Sequence, residues 1–330
     1  MSEVEKQMSL WKLRFSVVGT LAVIIGLSTL FFTGIMLWIG VFDLLTMGLF
    51  VVFFNVIQWL LAPYIINAIY RAKEVSKADN PKLHAMVERL SQKSNIKPPK
   101  VMIANIPIPN AFAYSSPVAG SRVAVTSELL KTLEDEEVEA VVGHELGHLK
   151  HRDVQVMMFV SILPALFYYI GFSMMLSSMY GRRGSNRDSG SAAIVIGIAS
   201  MAIYWILTMF TLYLSRLREY FADRHSASIV DEGSRKLSEA LAKIQASASR
   251  MKRTQKQAGG VSSFKALFIS DPDRAASDTL AIAQAKGVTT DSRLVEEVLR
   301  RQVTTADKLL ELFSTHPNMV KRLKALQQLD

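Results

Sequence analysis

Residues 135–153 read DEEVEAVVGHELGHLKHRD, and the pentapeptide HELGH at 144–148 governs how the rest of the chain is read. His144 and His148 are four residues apart, so on a helix both project from one face, within reach of one metal ion. Glu145 lies between them, is not needed as a ligand, and is free to take a proton from an activated water. The chain has only 6 histidines, so a chance pairing around a glutamate is improbable on composition alone. Asp135, Glu136 and Glu137 place negative charge at the positive end of the expected helix. Gly143 and Gly147 each cost such a helix about 1 kcal/mol relative to alanine. Close approach of a neighbouring backbone or of substrate is the expected compensation.

Apolar runs flank this stretch on both sides. Residues 15–41 (FSVVGTLAVIIGLSTLFFTGIMLWIGV) and 44–69 (LLTMGLFVVFFNVIQWLLAPYIINAI) carry no charge. About 154–180 and about 191–214 are two more, with a polar loop, GRRGSNRDSG (181–190), between them. Each is long enough to cross a bilayer. The expected order is a membrane hairpin (1–70), a catalytic segment (71–153), a second hairpin (154–214) and a mostly helical C-terminal part (215–330). Tyr70 is expected near a membrane interface. Four spans put both termini and HELGH on one side. Lysine and arginine are abundant in 71–152 and after 215, so that side is expected to be cytoplasmic at the cell membrane. Arg182, Arg183 and Arg187 conflict with this, because they fall in the loop placed outside.

The net charge of +9 fits basic residues held against anionic lipid, and no nucleic-acid motif accompanies it. Cysteine is absent, which excludes disulfides, thiol catalysis and cysteine-ligated metal. Any zinc must be bound by histidine and carboxylate.

Between the hairpins, NPKLHAMVERLSQKS (80–94) reads as an amphipathic helix capped by Asn80 with Pro81 in its first turn. KVMIAN (100–105), AFAYSS (111–116) and SRVAVTSELL (121–130) predict a small sheet, expected to be antiparallel. KRTQKQAGGVSS (252–263) reads as a loop. In 316–329, Val320, Leu323, Leu326 and Leu329 share one helical face.

A hydrolytic zinc site needs a third protein ligand and an open position. Glu219, in RLREYFADRHS (216–226), follows the fourth apolar run. Asp223 is one turn further along and can orient a ligand histidine. His151 lies on the HELGH helix but about 10 Å along the axis from His144, given a rise of 1.5 Å per residue. His225 has a suitable side chain but a different direction. Glu219 is the favoured ligand; His151 and His225 remain alternatives.

HELGH, REYFAD (218–223), STHP (314–317) and NAFAY (110–114) together resemble the HtpX family of membrane zinc peptidases, relatives of the CAAX prenyl endopeptidases. The resemblance covers nearly the whole chain. It implies a mainly α membrane protein with four transmembrane helices and a zincin-like α+β catalytic domain carrying a small β-sheet. It implies one zinc per chain on His144, His148 and Glu219, with Glu145 as general base and Asp223 as partner of a ligand. His316 resembles a histidine that assists the transition state, and Arg322 an accompanying basic residue. Asn110, Ala111, Phe112 and Ala113 resemble the strand that pairs with extended substrate. The implied activity is endoproteolysis of misfolded or damaged membrane proteins at the cytoplasmic face. Two rivals stand beside it: processing of one specific membrane or lipidated substrate, and a zinc-binding sensor without turnover. A transporter is disfavoured because the apolar runs hold no charge.

Overall fold

The computed structural model describes residues 44–180, 187–255 and 291–329. The apolar run 15–41 lies outside them, so it is three of the four expected spans that can be described. They fall on α1 (Leu44–Tyr70), α5 (Asp153–Tyr180) and α6 (Arg187–Ile229). Among the described residues, these are the helices long and apolar enough to cross a membrane. α5 continues through Pro164. Residues 187–190, expected in the loop, already belong to α6.

The helices contribute to two compact units. In the first, whose described residues are 44–54, 164–180 and 187–204, α5 and α6 meet at two glycines. A Cβ on Gly171 would sit 3.0 Å from the Gly197 carbonyl, and one on Gly197 would sit 3.2 Å from the Gly171 carbonyl. Only glycine permits that approach, as in other crossings of apolar helices.

The second unit covers 55–163 and the described residues after 204. It holds β1 (Ala72–Glu74), α2 (Pro81–Lys93), β2 (Lys100–Ala104), β3 (Ala111–Ser116), β4 (Gly120–Thr126), α3 (Ser127–Thr132) and α4 (Asp135–Lys150). After α6 come α7 (Gly233–Gln255), α8 (Asp291–Arg300), α9 (Thr305–Leu312) and α10 (Met319–Gln327). Asn80 caps α2 by accepting the Leu83 N–H. Leu83, Met86, Val87 and Leu90 then form its buried stripe. α4 begins with a capping box between Glu134 and Glu137.

The strands lie in the order β1-β2-β4-β3. The expectation of an antiparallel sheet is corrected: β2 and β4 run parallel, Val101 against Val123, while the other two pairs are antiparallel. The β3–β4 hairpin folds back so that β4 fills the slot between β3 and β2, and a strand inserted there takes the direction of β2. Side chains alternate across the sheet. Val101, Ala111, Val123 and Val125 face the main core with Leu129, Leu146, Leu237 and Leu323. Met102, Phe112, Tyr114 and Ala124 face a second cluster that contains Tyr70.

Tyr70, at the end of the apolar helix α1, is therefore buried, its ring 4.8 Å from that of Phe112. α7 extends into the expected loop as far as Gln255; residues 256–263 lie outside the described residues. In α10, Val320, Leu323 and Leu326 are buried, but Leu329 lies past the helix end and is exposed.

Candidate metal centre and active site

α4 presents His144 and His148 one turn apart, their rings edge to face at 4.7 Å between centroids. α6 leaves its apolar run at Leu214 and brings Glu219, Ala222, Asp223 and Ser226 along one face against α4. The glycines of HELGH and its flank make this approach possible. A Cβ on Gly147 would sit 3.0 Å from Ala222 Cα, and one on Gly143 would sit 3.1 Å from Ser226 Oγ. Ser226 Oγ donates a 2.6 Å hydrogen bond to the Ala140 carbonyl and fixes the register.

Glu219 thereby reaches both histidines, with Oε1 3.5 Å from His148 Nε2 and Oε2 3.7 Å from His144 Nε2. The three candidate ligand atoms lie within 4.8 Å of one another. Each imidazole is held from behind by a carboxylate. Asp223 Oδ1 lies 2.9 Å from His144 Nδ1, and Asp153 Oδ2 lies 2.5 Å from His148 Nδ1. An ionised carboxylate only accepts hydrogen bonds, so each Nδ1 is the donor, and in the neutral imidazole each Nε2 then offers its lone pair. The two Nε2 atoms face each other at 3.2 Å. The two Nε2 atoms and a Glu219 carboxylate oxygen converge on one point, so the donor set fits a metal ion. Two imidazole nitrogens and a carboxylate oxygen are the ligand chemistry of zinc.

Arg322, only 1% exposed, organises the opposite side. Its Nε and Nη2 grip Asp223 at 2.6 and 2.7 Å, and Nη1 lies 3.1 Å from Glu219 Oε2. Burial alone would pull the guanidinium pKa down; Asp223, Glu219 and Glu145 outweigh it and hold it above its ordinary value. Nη2 is also 3.2 Å from His144 Nε2. His316, on the loop before α10, places Nδ1 3.2 Å from Glu219 Oε2. Its Nε2 is buried without a hydrogen-bond partner among the described residues. Glu145, next to His144 in α4, is buried, and its carboxylate makes no hydrogen bond or ion pair among the described residues.

The fold thus gathers His144, Glu145, His148, Glu219, Asp223, His316 and Arg322. His151 and His225 do not join the ligand group. His151 Nδ1 hydrogen-bonds the Gly147 carbonyl at 2.8 Å, and His225 Nε2 pairs with Ser94 Oγ at 2.9 Å. Asn110 is buried, its backbone tied to Thr126: its N–H donates to Thr126 Oγ1 and its carbonyl accepts the Thr126 N–H, both at 2.9 Å. Ala111 and Phe112 are also buried, and Ala113 is half-buried. The strand they form is at the sheet edge, paired with β4 on one side alone among the described residues.

Sequence reasoning missed Asp153 and Arg218. Arg218 Nη2 lies 2.8 Å from Asp153 Oδ2 and joins the start of α5 to the part of α6 that faces His148. A five-residue interval does not place Asp153 on the His148 face of a continuous helix. The turn between α4 and α5, with Arg152 at φ 54°, carries it back. An arginine held in that region is the local feature the spacing could not show.

A model of "Peptidase family M48" matches residues 77–330. The chain is 40% identical over 274 residues to a protease HtpX homologue of Aeropyrum pernix, covering 83% of this chain and 82% of that one. It is 36% identical over 280 residues to a protease HtpX homologue of Thermoplasma acidophilum, covering 83% and 82%. The crystal structure of S. mikatae Ste24p superposes with a TM-score of 0.55 at 16% identity, covering 97% of this chain and 67% of that one, which is a likeness of fold. With its apolar helices and its histidine–carboxylate group, the chain belongs to peptidase family M48, as a multi-pass membrane metalloprotease similar to the HtpX proteases.

Proposed function

We infer that the chain is an endopeptidase that cuts misfolded or damaged membrane proteins at the cytoplasmic face, with one zinc ion held by His144, His148 and Glu219. The observation that supports this is the convergence of His144, His148 and Glu219, whose ligand atoms lie within 4.8 Å of one another beside Glu145 in the sequence of α4. Bound zinc supplies Lewis acidity, which activates water and polarises the scissile carbonyl. Glu145, uncommitted and next to both histidines, accepts the proton of the attacking water and returns it to the leaving amine. His316, with Nδ1 towards Glu219, serves the developing oxyanion as an imidazolium that donates its Nε2–H. Arg322 is already bound on both sides by Asp223 and Glu219, so its work is to hold those carboxylates in place. The free edge of β3 binds an extended peptide through main-chain hydrogen bonds. The abundance of lysine and arginine in the catalytic segments supports the cytoplasmic orientation.

The test is zinc content and cleavage of an unfolded polypeptide in detergent. Glu145→Gln is expected to keep zinc and lose turnover, and Glu219→Ala to lose zinc. Wild-type cleavage by Glu145→Gln would end the general-base assignment. Zinc retention without any cleavage by the wild type would favour a sensor.

A further inference from the structure

α9 is built inside out. Its charged Glu311 points inward: it is buried, accepts the Asn318 N–H at 3.1 Å and pairs with Lys321. Three large apolar residues point outward, while Leu310 is half-buried. Leu309 is 56% exposed, Leu312 48%, and the C-cap Phe313 62%. Leu309 and Phe313 are four apart, so they share one face. In water this is the costly arrangement for a surface helix, since three large apolar side chains lie in solvent while a carboxylate is desolvated.

The neighbouring element shows which medium this face meets. Arg216 lies two residues past Leu214, the end of the apolar run in α6, a displacement of about 3 Å along the helix axis. Its Nη1 donates to the carbonyls of Glu311, Leu312 and Ser314 at 2.7, 3.3 and 2.8 Å. Its guanidinium also stands over the ring of Tyr213, 5.8 Å from the centroid. A tyrosine and an arginine at the end of an apolar helix mark the headgroup layer. The C-terminal end of α9 is therefore pinned at the level where the apolar run of α6 ends. Exposed Lys308, next to Leu309, suits lipid phosphate at the same depth.

We propose that α9 is an interfacial helix whose face of Leu309, Leu312 and Phe313 is immersed in the lipid headgroup–acyl boundary. Its occupant is the bilayer surface around α6, continuous with the lipid-facing side of that helix. The link to the active site is short. Ser314 Oγ accepts the His316 N–H at 3.2 Å, and Glu311 anchors the Asn318 backbone at the start of α10. Immersion of α9 would thus seat the His316 loop at the membrane surface, where a chain emerging from the bilayer first becomes available for cleavage.

The chain has no cysteine, so a single introduced thiol can be labelled uniquely. The zinc-loaded full chain would be prepared as Leu309→Cys, Leu312→Cys and Phe313→Cys, each carrying an environment-sensitive fluorophore. Phe210→Cys, exposed within the apolar run, serves as the lipid control, and Lys82→Cys as the aqueous control. Each is placed in phosphatidylcholine–phosphatidylglycerol vesicles, with and without lipids brominated near the headgroup. The α9 labels are expected to be quenched by bromine as Phe210→Cys is, and to show several-fold less quenching by aqueous iodide than Lys82→Cys. Iodide quenching equal to that of Lys82→Cys would overturn the proposal. So would protection without bromine quenching. In that case, protection lost on dilution in lipid would assign the face to a second copy, and protection gained only with unfolded polypeptide would assign it to substrate.

Discussion

Asp153 Oδ2 lies 2.5 Å from His148 Nδ1, although His148 closes one helix and Asp153 opens the next. The contact mirrors that of Asp223 with His144, so each candidate ligand histidine is oriented by a carboxylate from another helix. Arg218, one residue before Glu219, grips Asp153 and ties the start of α5 to the metal-facing part of α6.

Replacement of Asp153 by Ala is expected to weaken zinc binding about 10- to 100-fold, the usual effect of removing a carboxylate behind a ligand histidine. Asp153→Asn should recover part of the loss, because its amide oxygen still accepts from Nδ1. Competition against a chelator measures this directly, without reference to turnover. Unchanged affinity in Asp153→Ala would show that the contact merely joins two helices.

Arg322 neutralises two buried carboxylates. Arg322→Met would leave Asp223 and Glu219 without their common cation, a loss of about 3–5 kcal/mol for a broken buried pair. The loss should be larger in the metal-free protein, because a bound ion restores positive charge beside Glu219. Thermal unfolding with and without zinc separates the two cases. Equal losses would mean that Arg322 and the ion do not share Glu219.

Local patterns were the legible part of this chain. Spacing of four places His144 beside His148 and Glu219 beside Asp223, and Asn80-Pro81 gives the start of α2. The apolar runs give the helices on which α1, α5 and α6 are built. What spacing could not show depends on tertiary placement. The parallel β2–β4 pair arises only when β4 enters the sheet beside β2. The Asp153–His148 contact requires the positive φ of Arg152. The packing of Tyr70 on Phe112 depends on the sheet covering the end of α1. The inward Glu311 reads from sequence as an ordinary surface charge, because its partners Asn318 and Lys321 belong to the next helix.

Gly147→Ala sets two effects against each other. Helix propensity gains about 1 kcal/mol. Against that, the new methyl meets Ala222 Cα at 3.0 Å and His225 Cβ at 3.2 Å, and overpacking of this kind costs about 1–3 kcal/mol. Ala222 belongs to the backbone that carries Glu219 and Asp223, so it cannot yield without moving both. The expected outcome is a thermal midpoint at or below that of the wild type, with clearly weaker zinc binding. Full zinc affinity with a raised midpoint would show that α6 can give way at no cost to the site.

Metal removal should be felt as a loss of fold stability. With both Nδ1 atoms held by Asp153 and Asp223, the two Nε2 atoms stay directed at one point beside Glu219. An ion bound there would join α4 to α6. An ion that binds only the folded chain adds about 4 kcal/mol at a thousand-fold excess over its dissociation constant. Chelation is expected to lower the thermal midpoint in detergent, and zinc to restore it. The shift should shrink sharply in Glu219→Ala and in His148→Gln, and persist in Glu145→Gln, whose carboxylate is outside the ligand group. A midpoint insensitive to chelator in the wild type would mean that His144, His148 and Glu219 do not bind the ion.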